Sequence, residues 1–126
     1  MRVEQKSPAR GFRVGVSNDI IIQDCGSVWL EPNEQVTFRT NRGAEYDVTR
    51  KEWGFYATPS LNGRLADFGL RSVLIQNRAS KRYYLLLVER GHEPEFRSYL
   101  EDENLRLVHW LDTDEACQSL DALLGG

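Results

Sequence analysis

The residue types best suited to holding a ligand crowd into one non-periodic run, Trp53-Gly54-Phe55-Tyr56-Ala57-Thr58-Pro59-Ser60-Leu61-Asn62-Gly63-Arg64-Leu65. Trp53, Phe55 and Tyr56 bring flat apolar surface. Thr58, Ser60 and Asn62 bring short hydrogen-bonding groups, and Arg64 brings a planar fork matched to a carboxylate or phosphate. Gly54 and Gly63 allow close backbone approach. An aromatic wall with a few convergent polar groups is a common construction for a small-molecule pocket. From this run we expect Tyr56, Ser60, Asn62 and Arg64 as ligand-binding residues, for a small polar or anionic ligand. The competing expectation is a plug, in which Trp53, Phe55 and Leu61 fill a core, because large aromatics more often pack than bind.

Other chemistries find less support. Only two histidines, His92 and His109, and two cysteines, Cys25 and Cys117, are present. No Cys-x-x-Cys, His-x-His or His-Glu-x-x-His spacing occurs, so no metal site is expected. No glycine-rich phosphate loop or dinucleotide fingerprint occurs either, and no cofactor is expected. Asp19, Asp24 and Asp67 lie at turns, where aspartate is common for conformational reasons. The run Cys25-Gly26-Ser27-Val28-Trp29 is similar to the nucleophile segment of papain-type proteases. In that segment the second cysteine is the nucleophile, and Val28 stands at its position here. A thiol paired with His92 or His109 would need a cationic setting to lower its pKa. His109, between Val108 and Trp110, reads as a structural histidine, His92 as a cap at a helix start, and the cysteines as small buried hydrophobes. No catalytic residue is assigned.

Composition narrows the class. With 126 residues, 40% hydrophobic and 28% charged, the chain is long enough for one folded domain and too apolar to remain disordered. The longest apolar run is Tyr83–Val88, far short of a membrane span. The first ten residues lack the apolar stretch of a signal peptide, so a cytoplasmic location and no membrane partner are expected. The net charge is −3, unevenly spread. Residues 39–82 hold nine basic and four acidic side chains, and residues 83–126 hold three basic and ten acidic ones. A basic centre leaves room for an anionic ligand, but a duplex nucleic-acid binder would be basic overall and is not expected.

The elements that must position these residues follow from periodicity. Residues 1–10 read as a flexible arm. Residues 11–50 alternate apolar and polar side chains in five short segments, with turn signals at Ser17-Asn18-Asp19, Cys25-Gly26, Pro32-Asn33-Glu34 and Asn41-Arg42-Gly43. That spacing predicts an antiparallel β-meander, open to curling toward a barrel. Ile20 to Asp24 is apolar on consecutive positions and reads as covered on both faces; Val36 and Phe38 mark a half-buried strand. Residues 51–70 bridge to a second half.

That half, residues 71–126, reads β-β-α-β-α. Tyr83 to Val88, apolar on both faces, reads as a central strand, and the helix after it is long enough for a crossover to a parallel neighbour at 105–111. Pro94 suits a first helical turn. Phe96, Tyr99 and Leu100 make a buried stripe, and Asn104 can end the helix. Asp112 with Glu115 reads as a capping pair for a last helix lined by Ala116, Leu120, Leu123 and Leu124.

The fold expected is therefore α+β, a single domain in which an N-terminal antiparallel meander packs on a C-terminal β-β-α-β-α unit. The function expected is a small soluble non-catalytic binding or accessory protein, taking a small polar or anionic ligand or a protein partner near residues 53–64. One alternative is a small hydrolase- or isomerase-type enzyme using the same stretch. Another is a structural homodimer joined through an exposed edge strand of the meander.

Overall fold

The computed structural model describes all residues, 1–126. Its elements in chain order are β1 Arg2–Val14, β2 Ile20–Trp29, β3 Gln35–Arg39, β4 Glu45–Lys51, β5 Gly54–Ala57, α1 Arg64–Asp67, β6 Leu70–Asn77, β7 Tyr83–Glu89, α2 Glu93–Asp102, β8 Leu105–Trp110 and α3 Asp114–Leu123. The fold is α+β, built on three small sheets ordered β1-β2, β3-β4-β5 and β7-β6-β8. The sheets do not close into a barrel. No helix is long and apolar enough to cross a membrane. The chain divides into two compact units: residues 1–36 with 48–56, and residues 37–47 with 57–126.

The first unit is dominated by the antiparallel β1–β2 ribbon. Residues 1–10, expected as an arm, are instead strand, because Arg2 to Gln5 pair with Trp29 to Gly26 and the register resumes at Arg10↔Asp24. The irregularity between Gln5 and Arg10 absorbs the extra residues. Cys25-Gly26, expected as a break, lies within one continuous strand. Gly26 has φ 138° there, and a Cβ on it would stand 2.0 Å from the carbonyl oxygen of Glu4. Only glycine lets the two backbones approach so closely. The same unit holds the Pro32-Asn33 turn, where Asn33 takes φ 68° and its backbone N–H donates to the Arg50 carbonyl.

The second unit carries the buried core. β6 is its central strand, antiparallel to β7 on one side and to β8 on the other. This corrects two expectations: Tyr83–Val88 forms an edge strand, and β7 and β8 are separated by β6 rather than paired in parallel. β6, the first strand expected within residues 71–126, does not read as central from its sequence because it carries Arg71, Ser72 and Gln76. Each is satisfied in place: Ser72 Oγ donates to the Leu111 carbonyl at 3.1 Å, and Gln76 bridges Tyr83 and Arg106. A polar group so paired can be buried at little cost.

Alternation along β6 sends side chains to two cores. On one face Val73 and Ile75 join Val88 and Phe96, with Leu86, Leu100, Leu105, Leu107 and Trp110 packed around them. On the other, Leu70 joins Ala44 and the fully buried Leu65, with Tyr46, Leu61 and Leu87 at the margin. α2 starts with Pro94 in its first turn and is followed by Asn104 at φ 55°, as expected. Of its expected stripe, Phe96 is buried and Leu100 half-buried, but Tyr99 is exposed. Thr113, not Asp112, caps α3, its Oγ1 accepting from the Ala116 N–H at 3.0 Å. Leu123 and Leu124, expected inside, are exposed.

Candidate functional site

The four residues expected to bind a ligand do not present four free polar groups. Residues 60–64 form a local hydrogen-bonded turn into α1. The Ser60 carbonyl accepts from the Leu65 N–H at 3.1 Å, and Ser60 Oγ accepts from the Arg64 N–H at 3.0 Å. Asn62 donates through Nδ2 to Asp114 Oδ1 at 2.8 Å, tying the turn to the start of α3. The Arg64 guanidinium stands over the Phe68 ring, 5.3 Å from its centroid. Thus Ser60 and Arg64 are brought together by backbone geometry, and Asn62 is directed to α3. Tyr56 belongs to the first unit, on β5, where it is exposed.

The stretch expected as a single loop therefore contains β5, a turn and α1. The plug expectation divides as well. Leu61 packs at the margin of the Leu65 core, whereas Trp53 is 72% exposed and Phe55 68% exposed. Two aromatics held so far into solvent are not core filler.

Further large apolar side chains are exposed on the β1–β2 ribbon of the same unit: Val3, Phe12, Val14, Ile21, Ile22, Val28 and Trp29. The expectation that Ile20 to Asp24 is covered on both faces is thereby corrected. No residue of the first unit is buried. The register sets Phe12 opposite Ile22 and Val14 opposite Ile20, so these four share one face. Arg10 and Asp24 continue that face as a charged border.

The ribbon's charges are arranged around this apolar surface. Lys6 Nζ lies 2.6 Å from Asp24 Oδ2, and an Arg10 nitrogen lies 3.8 Å from the same oxygen. Asp24 Oδ1 also accepts from the Gly26 N–H at 3.1 Å. The Lys6 hydrogen bond, and then that of Gly26, hold the Asp24 carboxyl below its ordinary range. Arg2 stacks on Trp29 at 3.7 Å and Arg10 on Phe12 at 5.1 Å. Such stacking holds each cation against an aromatic face while leaving donors for an incoming group.

The histidines and cysteines behave as follows. His109 Nε2 lies 2.8 Å from the Ala116 carbonyl, the structural role expected of it. His92 occupies the position before α2 but makes no side-chain cap bond. It sits beside Arg42, Glu89 and Glu95, with Arg42 Nε 2.8 Å from Glu89 Oε2 and Thr40 also bonded to Glu89. Cys25 is exposed, which corrects its expected burial, and Cys117 is half-buried with its thiol toward the Leu111 carbonyl.

A second charged cluster went unnoticed in the sequence. Arg71 Nε donates to Asp112 at 2.6 Å, another of its nitrogens lies 3.3 Å from Glu93, and the guanidinium covers Trp110 at 3.8 Å. The Asp112 bond, foremost, raises the already high Arg71 pKa. This cluster joins β6 to the first residue of α2 and to the segment before α3.

For the ribbon one sequence signal existed: Ile20-Ile21-Ile22, apolar on consecutive positions, was compatible with a strand open on both faces. No protein-family model matches this chain, and no curated protein or solved structure is similar enough to it to count as a match.

Proposed function

We propose that the protein is a non-catalytic binding module whose first unit docks on a protein partner. The observation that carries this reading is the absence of any buried residue in that unit beside its many exposed large apolar side chains. A two-stranded ribbon is marginal in water by itself and gains stability when an apolar face is covered. β1 bears Arg2, Lys6, Arg10 and Arg13 against the single acid Glu4. The partner surface that fits is therefore apolar with an acidic rim, which would steer encounter and fix register. Trp53, in the turn before β5, and Phe55 and Tyr56 on β5 extend the same chemistry. Exposed aromatics and arginines are the residue types that dominate binding energy at such interfaces.

The test is affinity purification of the intact chain from cells that make it, followed by binding measurements on the recovered partner. Phe12→Ser and Trp29→Ser are expected to weaken binding at least about tenfold each, the scale of a truncated hot spot. Tyr99→Ser, on the exposed side of α2, is expected to change nothing. Equal binding by the parent and both ribbon variants would remove the ribbon from the interface.

A further inference from the structure

We propose that His92 is a pH-sensitive switch for Arg42: when its ring gains a proton, Glu89 exchanges Arg42 for His92 and the arginine is freed into solvent. All the groups involved lie in the second unit, and the binding role of the ribbon plays no part. Three segments meet there: the turn 40–44 between β3 and β4, the end of β7, and the start of α2. The turn supplies Thr40 and Arg42, β7 supplies Glu89, and His92 and Glu95 stand at the start of α2. Glu93, at the same helix start, is turned instead to Arg71 and to the Gly91 N–H.

Glu89 holds the three segments together. Its side chain is only 13% exposed. Oε1 accepts from the Thr40 hydroxyl. Oε2 is buried and receives no hydrogen bond. Two side chains stand beside that one oxygen. Arg42 Nε is 2.8 Å away, close but out of hydrogen-bonding alignment, and His92 Nε2 is 3.7 Å away. A buried carboxylate oxygen without an aligned donor is costly, so a better-placed donor takes it.

The charge on the imidazole decides which side chain that is. An Nη1 atom of Arg42 lies 2.9 Å from His92 Nδ1 and 2.8 Å from Nε2. A guanidinium carries only donors, so this contact needs a lone pair on the ring. The neutral ring has one; the imidazolium has none and is itself a cation. Protonation therefore turns an attractive Arg42–His92 contact into a repulsive one. It also gives His92 a donor on each nitrogen. Nε2 stands 3.7 Å from Glu89 Oε2 and Nδ1 3.7 Å from Glu95 Oε2, so each donor has its own carboxylate. A small ring movement shortens both distances. The Arg42 side chain, 63% exposed, can leave into water without unfolding the turn. The turn keeps its own bonds, from the Thr40 N–H to the Ala44 carbonyl and from the Ala44 N–H to Thr40 Oγ1. What changes is the surface. With His92 neutral, Arg42 is held on Glu89 and His92; with His92 charged, its guanidinium fork is open to an external carboxylate or phosphate.

Between about pH 8 and about pH 5.5 histidine changes charge and ordinary carboxylates do not. NMR over that range follows the His92 ring carbons and the Arg42 Nε–H in the intact chain. Exchange of the Arg42 Nε–H with water, relative to free arginine at the same pH, is expected to rise at least about tenfold on acidification, with the midpoint of the His92 ring. His92→Gln keeps an acceptor for Arg42 but gains no charge, and is expected to hold Arg42 protected throughout. His109→Gln, which alters the other histidine, is expected to leave the switch intact. Arg42 exchange that does not change across the range, or that rises in His92→Gln as in the parent, overturns the proposal. So does an Arg42 midpoint that departs from that of the His92 ring.

Discussion

Ser60 accepts, through its Oγ, the backbone N–H of Arg64 at 3.0 Å. The serine and the arginine expected as ligand contacts are also the two ends of one turn. Helix α1 spans only four residues, yet it delivers the fully buried Leu65 to the core. Ser60→Ala is expected to lower unfolding free energy by about 1 kcal/mol, the usual effect of removing a hydroxyl that satisfies an N–H at a helix start. Denaturant unfolding measures it. The same variant is expected to leave partner binding by the ribbon unchanged.

Burial predicts a sharp contrast between the two units. Leu65→Ala removes a side chain with no solvent exposure and is expected to cost about 3 kcal/mol, transfer and cavity terms together. Ile22→Ala, at a position 42% exposed, is expected to cost less than about 0.5 kcal/mol in the free chain. Chemical denaturation of both variants checks the contrast. A large loss at Ile22 would mean that its side chain is covered in solution.

Arg71 and Asp112 supply a third test. The Asp112 side chain is 5% exposed and that of Arg71 24%. Asp112→Asn leaves the guanidinium with the weaker Glu93 contact and is expected to cost about 2 kcal/mol, the scale of a hydrogen bond between charged groups. Adding Arg71→Met is expected to recover part of that loss, since an unpaired cation would no longer be held against Trp110. A double-mutant cycle with no coupling would contradict the pairing.

The ribbon is expected to respond to acid through Asp24. Its carboxyl is held below the ordinary range by the Lys6 hydrogen bond first and the Gly26 N–H second. A depressed value in the folded chain means the contribution is complete above the unfolded-state pKa of about 4 and disappears as pH falls through the folded value. The amide resonances of Gly26 and Lys6, followed from about pH 6 to about pH 2, should report one titration with a midpoint below the ordinary aspartate value. Asp24→Asn should abolish it. A midpoint at or above that value would show that the Lys6–Asp24 pair does not persist in solution.

Much of the architecture was legible from local pattern. Local pattern located β3, β4, β6, β7 and β8, and proline and asparagine at special backbone positions marked the Pro32-Asn33 turn and both ends of α2. These features depend on neighbours a few residues away. Which faces would be covered does not. Tyr83–Val88 and Leu70–Asn77 differ in sequence in the wrong sense, since the more apolar strand lies at the edge and the more polar one at the centre. β6 can be central because Asp112, Leu111 and Arg106, distant in the chain, satisfy its Arg71, Ser72 and Gln76.

The chain's order of residues determined an α+β protein, its turns and the chemical character of each strand, because steric limits on φ and ψ and side-chain alternation act locally. Tertiary structure alone decided what those characters mean. It enlisted Ser60 and the Arg64 backbone in one local turn and Asn62 in a bond to Asp114. It also left Trp53 and Phe55 in solvent, gave the ribbon no core, and turned a strand with two apolar faces into an unpaired edge. Burial and hydrogen-bond satisfaction are set by segments that meet only after folding, so the same Leu or Tyr is core or contact surface according to what arrives beside it.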